Sequence, residues 1–374
     1  MGWRWCVFAM VLAGAAFGLT GSAARPLPAP VAAAPARTAD PWAAAADLFF
    51  KVAARDDAIP DAGVPRAVAQ DGEGFLWLGT DAGLARWDGT GFKSYSTQAT
   101  DGTAALPELM VNLLFADRGG TLWLGMSAEG LLWHDVATDR FRRPPNRTAL
   151  DRTHITALAD DDAGGLWVGS DAGLGHIRGS DHRATLVPGL PPGGIGAVRC
   201  DRAHRLWVAV GSRLFRRDPA GRFVPMPLPK VVGTITALHD DAYGRMWVAT
   251  GESGFHVVAA DGSVRHMPVA VDGHAPPLGA MIDAGNGELW TASRAGIWAI
   301  DPAAMRIRRI AHDPQQSASP AEDGLTICSA TVPGWCGSPA TRRWAMSIRR
   351  RAACLASSPR CAPRRGGRPI SPGR

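Results

Sequence analysis

Tyrosine is nearly missing from this chain, with two residues in 374 against fourteen tryptophans. Cysteine is almost as scarce where it would matter. Between Cys6 and Cys328 only Cys200 occurs, which excludes a disulfide framework and leaves the core to hold the body together. The separations of 8, 18 and 7 from Cys328 to Cys336, Cys354 and Cys361 match no zinc spacing. No His-x-His, His-Glu-x-x-His, Cys-x-x-Cys, phosphate loop or Gly-x-Ser-x-Gly occurs, so the sequence calls for no metal, no cofactor and no catalytic group. Residues 62–312 lack any sustained helical period, which excludes a helical solenoid. Acidic residues and lysine vanish after Asp323, while ten arginines follow it. The net charge of +6 therefore belongs to the tail, since residues 1–323 carry 30 basic against 34 acidic side chains. Without a basic stripe, the body is expected to bind no nucleic acid.

Long apolar runs are also wanting. The run from Cys6 to Leu19 is shorter than the ~20 residues of a membrane span. With Arg4 before it and Ser22-Ala23-Ala24 after it, the run reads as a signal peptide over 1–24. That places the product in the periplasm, with no transmembrane helix in the mature chain. Residues 25–46, rich in Ala and Pro, read as a disordered lead-in.

What the chain has is repetition. Trp77, Trp123, Trp167, Trp207, Trp247 and Trp290 lie 46, 44, 40, 40 and 43 residues apart, each inside one phrase. Leu76-Trp77-Leu78-Gly79-Thr80 recurs as Leu166-Trp167-Val168-Gly169-Ser170 and, more weakly, as Met246-Trp247-Val248-Ala249-Thr250. A short apolar segment precedes each phrase, such as Ile155-Thr156-Ala157-Leu158. It ends in an acidic, Gly-containing turn suited to a hairpin. A Gly-Leu hairpin and a third segment follow, then a fourth carrying Phe92, Phe141, Phe223 or Ile307. Four short strands every 40 to 45 residues or so make the chain all-β, with six recognisable blades of a seven-bladed β-propeller over 47–312. A seventh blade would start at 313–323. The six tryptophans are expected to be core, with Gly or Ala two residues on admitting the neighbouring blade. Asp71, Asp117, Asp161, Asp201, Asp240 and Asp283 recur at the turn, and a recurrent carboxylate reads as structural.

Residues 324–374 read as an irregular basic tail from a slipped reading frame. Re-reading codons 325–339 from the last base of the Leu325 codon gives, with permitted codons, Asp-Asp-Leu-Leu-Arg-Asp-Arg-Ala-Gly-Leu-Val-Trp-Val-Ala-Ser, a blade phrase with its Trp near position 336. Six blades without a seventh would leave open faces and edges, so self-association is expected.

The blade 1 residues Asp71, Gly74, Leu76, Trp77, Gly79, Thr80, Gly83, Leu84, Arg86, Asp88, Gly89 and Phe92 carry a resemblance to the two-component regulator propeller family. The resemblance spans about 45–312. It implies a periplasmic ligand-sensing module of a signalling receptor whose parent carries a histidine kinase or diguanylate cyclase, an output absent from this chain. It implies binding and no catalysis, with a small molecule or carbohydrate fragment as ligand. Propellers bind where the loops before the first strand and after the second converge. On that rule the ligand-binding candidates are Arg66, Asp81, Asn112, Glu129, His154, Asp171, Glu252 and Arg294. A free enzyme similar to the streptogramin lyases is the alternative; it needs a His and Glu pair with a divalent metal, and His154 with Glu129 is the pair to test. A protein-binding scaffold is a third reading.

Overall fold

The repeat phrases fold as the two-residue period of their apolar positions requires. The computed structural model describes residues 63–311 apart from 89–90, 99–104, 147, 180, 230, 232 and 285–286, together with Gln315 and the backbone of strands 48–54, 327–328, 335–338 and 343–349. All belong to one unit that begins at Ala46. The expected signal peptide and lead-in lie outside the described residues. Among the latter no helix is long and apolar enough to cross a membrane.

Six antiparallel four-stranded sheets follow in order. Blade 1 is Pro65–Gln70, Leu76–Thr80, Leu84–Trp87 and Phe92–Tyr95; blade 2 is Val111–Ala116, Leu122–Met126, Leu131–Asp135 and Arg140–Arg142. Blade 3 is Ile155–Asp160, Leu166–Ser170, Gly173–Arg178 and Arg183–Leu186; blade 4 is Ile195–Cys200, Leu206–Val210, Arg213–Arg217 and Phe223–Met226. Blade 5 is Ile235–Asp240, Met246–Thr250, Phe255–Val258 and Val264–Met267; blade 6 is Leu278–Asp283, Leu289–Ser293, Gly296–Asp301 and Arg306–Ile310. The inner strands of successive blades neighbour one another around a central channel.

A seventh sheet is built from both ends of the sequence. Ile327–Cys328, Trp335–Ser338 and Arg343–Arg349 form its first three strands, and Leu48–Ala54 pairs antiparallel with the third as its outer strand. Its innermost strand neighbours the inner strands of blades 1 and 6, so the faces expected to stand open are covered. The expected irregular tail thus holds three strands. Its own frame supplies a phrase, Trp335-Cys336-Gly337-Ser338, 45 residues after Trp290. The hairpin after it is longer than in the other blades: Trp335 registers with Met346, whereas Trp77 registers with Arg86.

Trp77, Trp123, Trp167, Trp207 and Trp247 each lie at the joint between their blade and the next, and Trp290 packs within a cluster of its own blade. None of the six is more than 4% exposed. Trp123 packs with Ile155, Leu158 and Val168 of blade 3, and Trp167 with Ile195, Val198 and Val208 of blade 4. The small residue two positions on is a steric requirement. A methyl at Gly169 would lie 2.8 Å from Cγ2 of Ile195, and one at Gly125 would lie 3.0 Å from Cβ of Ile155. Blades 4 and 5 accept Ala209 and Ala249 there, both fully buried. Gly169→Ala should therefore be tolerated with small repacking. Gly169→Val should cost about 1–3 kcal/mol by overpacking, a fall in Tm of several degrees at about 2–4 °C per kcal/mol. Equal melting of the two variants would remove the steric reading.

The indole N–H groups need partners too, since a buried donor left unmade is costly. The turn carboxylate six residues earlier supplies them: Trp77, Trp123, Trp207 and Trp247 donate Nε1–H to Asp71, Asp117, Asp201 and Asp241 at 2.7–2.8 Å. The other oxygen of each carboxylate caps the turn, as Asp71 Oδ1 does for the N–H of Glu73 and Phe75. This corrects the sequence register in two blades. The turn residue of blade 5 is Asp241, and blade 6 has Ala284 there, leaving Glu288 to accept from Trp290 at 3.2 Å. Asp240 and Asp283 instead end their inner strands.

Candidate functional site

The antiparallel order gives the ring two unlike mouths. Loops entering the inner strands and leaving the second strands gather at one mouth. The acidic turns and the hairpins between third and fourth strands gather at the other. The eight candidates lie at the first. Arg66 and Asn112 occupy the extra residue of a β-bulge that recurs near the start of the inner strands; bulges re-aim side chains at rims. Asn112 Nδ2 donates to Ser127 Oγ at 2.8 Å. Asp81 accepts from the backbone N–H of Val64. Glu129 is held by Arg143, and His154 Nδ1 faces Asp171 Oδ2 at 3.6 Å with both side chains exposed. Glu252 lies beside Gly233, and Arg66, Glu252 and Arg294 are exposed. Five of the eight, Asp81, Asn112, Glu129, His154 and Asp171, thus engage neighbours within their own blade. None of the eight lines the 390 Å³ cavity of the channel, whose wall is the inner strands of blades 1–6.

The turn mouth carries side chains that sequence reasoning did not single out. In blades 2, 3 and 4 the residue after the turn aspartate reaches the last inner-strand residue of the next blade. The Arg118 N–H donates to Asp160 at 3.0 Å, Cys200 Sγ lies 3.1 Å from Asp162, and the Arg202 N–H donates to Asp240 at 3.1 Å. Arg199 adds a 2.8 Å bond to Asp240, and Arg202 lies 3.6 Å from Asp283 of blade 6. Burial raises the Asp240 carboxyl, but Arg199 beside it prevails and holds it below the usual range. His239, buried next to it, is pushed down to about 4 by burial and by Arg199. Burial and then the Asp162 carboxylate drive the Cys200 thiol up to about 12, so it is no nucleophile at neutral pH. The chemistry of this ladder is that of a blade-to-blade staple. The doubled acids Asp160-Asp161 and Asp240-Asp241 were its sequence signal.

A second polar knot joins blades 1 and 2. Asp139 accepts from Lys93 at 2.6 Å, His134 at 2.8 Å and Tyr95 at 3.0 Å. Burial raises its carboxyl, but these three bonds outweigh that and hold it at about 2. Among the described residues, no cluster of three or more His, Cys, Asp or Glu is arranged to hold a metal ion.

No protein-family model and no curated protein matches the chain. Solved structures do. The extracellular domains of BT4673 and BT3049 of B. thetaiotaomicron, assigned to hybrid two-component systems, are 20% and 17% identical. Both align over 80% of this chain with a TM-score of 0.65. The chain spans about two-fifths of their length, 39% and 41%. A streptogramin B lyase is 15% identical over 81% of this chain and 98% of its own, with a TM-score of 0.61. At these identities the likeness establishes the shared propeller fold.

Proposed function

We propose that the chain is the periplasmic ligand-sensing propeller of a two-component-type receptor, whose histidine kinase or diguanylate cyclase output lies outside it. The observation that carries this reading is how the repeated polar residues are spent. The turn carboxylates of four blades satisfy the indoles and turns, the ladder staples blades, and the eight loop candidates stand at the opposite mouth, where a binding site is assembled from loops. The fold shared with ectodomains of two-component systems supports it. A ligand bridging loops of several blades would work by favouring one packing of the propeller over another. The lyase-type reading needs Glu129 and His154 as a pair, whereas these side chains engage Arg143 and Asp171.

The test is the gene. Its bases across codons 325–339 are expected to encode the blade phrase in the shifted frame and to continue into further blades, a transmembrane helix and a signalling domain. A shifted frame closed by stop codons, or a separate gene directly downstream, overturns the proposal. As a check on the alternative, purified protein should leave quinupristin, the ligand of a solved virginiamycin B lyase structure, unconsumed.

A further inference from the structure

Blade 3 breaks the repeat's own rules, and it does so at one place. Its turn aspartate, Asp161, does not serve the indole of Trp167; it takes Nε2–H of His176 at 2.8 Å instead. Trp167 is the one repeat tryptophan of the six for which no carboxylate accepts Nε1–H. The residue after the turn is Gly165, where the other blades carry Phe75, Thr121, Arg205, Arg245 and Glu288. In blades 4 and 5 that arginine bonds the turn aspartate, Arg205 to Asp201 at 2.8 Å and Arg245 to Asp241 at 2.7 Å. In blade 3 the His176 ring takes the bond to the turn aspartate that the arginine makes in those blades, and a Cβ at Gly165 would clash with the carbonyl of Ile177. A cavity of about 350 Å³ opens there, bounded by Gly165, Trp167, His176, Arg178 and Arg217, with Asp161 at its wall. Local departures from a repeat's consensus are where function is expected.

The two arginines distinguish this cavity from a packing fault. Among the described residues neither forms an ion pair, although most arginines of the turn mouth do. Arg178 donates Nε–H to His176 Nδ1 at 3.1 Å, and Arg217 donates Nε–H to the carbonyl of Gly221 at 3.2 Å. Both bonds use Nε, neither arginine's terminal nitrogens have a hydrogen-bond partner among the described residues, and both side chains line the cavity. Because His176 accepts at Nδ1 and donates at Nε2, its ring is neutral; burial acts in the same direction, lowering its pKa. The ring stacks on Trp167 at 3.9 Å, and the Arg217 guanidinium lies over the same indole at 5.5 Å. The formal charge of the wall is two positive against one negative, and the negative one is already engaged by His176. A wall with two oriented guanidinium groups, a free indole N–H and a volume within the roughly 300–1,000 Å³ of small-molecule sites fits an oxyanion.

We propose that the cleft between blades 3 and 4 at the turn mouth binds a small solute through a carboxylate or phosphate group held by Arg178, Arg217 and the indole N–H of Trp167. The site lies at the mouth opposite the loop candidates, and it stands whether the chain is a sensor, an enzyme or a scaffold. Calorimetric titration of the purified protein with inorganic phosphate, and separately with succinate, at ionic strength fixed by sodium chloride, tests it. Saturable binding of at least one is expected. Phosphate alone would assign a phosphoryl group, succinate alone a carboxylate. Arg217→Gln and Arg178→Gln should each weaken binding about tenfold or more, as loss of a charged hydrogen bond does. Arg222→Gln, on the same hairpin but paired with Asp218, should leave it unchanged. No saturable heat with either probe, or equal weakening by all three variants, overturns the site.

Discussion

Deleting residues 324–374 is expected to abolish soluble monomer, although it leaves six complete blades. The deletion removes three strands of the seventh sheet, among them the strand partner of Leu48–Ala54. Two apolar faces then meet water. Blade 6 loses cover over a cluster of its own, Trp290, Ile282 and Ile297, none more than 1% exposed. Blade 1 loses cover over Val68, Leu78 and Ala85, the positions equivalent to Val198, Val208 and Phe215, which pack against Trp167 of the preceding blade. At about 1.5–3 kcal/mol for each large side chain uncovered, the sum approaches the roughly 5–15 kcal/mol that separates a folded domain from its unfolded chain. The inner-strand edges would also lose their neighbours, and open edges recruit other chains. Size-exclusion chromatography and thermal melting of the full and shortened proteins are the measurement. A shortened protein that elutes as a monomer with an unshifted Tm would mean that the six blades are self-sufficient.

That prediction turns on the part of the fold least legible in the sequence. Blades 1–6 could be read because each keeps its Trp phrase, its small residue and its hairpin glycines within 40-odd contiguous residues. The seventh keeps only Trp335-x-Gly337-Ser338. Its inner strand is two residues long, no acidic turn precedes the phrase, and its outer strand comes from residues 48–54. No local period can reveal a strand pairing across the whole chain. The shifted frame places its Trp within one residue of Trp335, so both readings put a blade in the same slot. The site was legible in part. The loop rule picks out a mouth, but it cannot show that Glu129 would turn to Arg143 or His154 to Asp171, because those pairings depend on hairpin geometry. The blade 3 cleft was written in the sequence as an absence, Gly165 where a larger side chain recurs. Its meaning needed the register that sets His176 opposite Trp167.

The same register makes Asp241 the most consequential single carboxylate in the ring. Its Oδ1 accepts the N–H of Tyr243 and Arg245, and its Oδ2 accepts Trp247 Nε1–H at 2.8 Å and Arg245 Nε–H at 2.7 Å. Arg245 in turn donates to the carbonyl of Pro302 at 2.6 Å, tying blade 5 to blade 6. The Asp241 side chain is 1% exposed and that of Arg245 19%. Asp241→Ala would leave a buried indole donor, two turn amides and a largely buried cation without their acceptor. Breaking one side of such a pair costs about 3–5 kcal/mol, an expected fall in Tm on the order of 10 °C for a domain of this size. Asp218→Ala removes a carboxylate of similar local geometry whose partner Arg222 is 80% exposed, and should melt close to the unaltered protein. Asp161→Ala should fall between them, because Trp167 does not use that carboxylate and His176 alone loses its acceptor. Melting the three variants side by side ranks them. If Asp241→Ala melts with Asp218→Ala, the turn carboxylates are ornaments of the hairpins and the indole bond is not what fixes the blade.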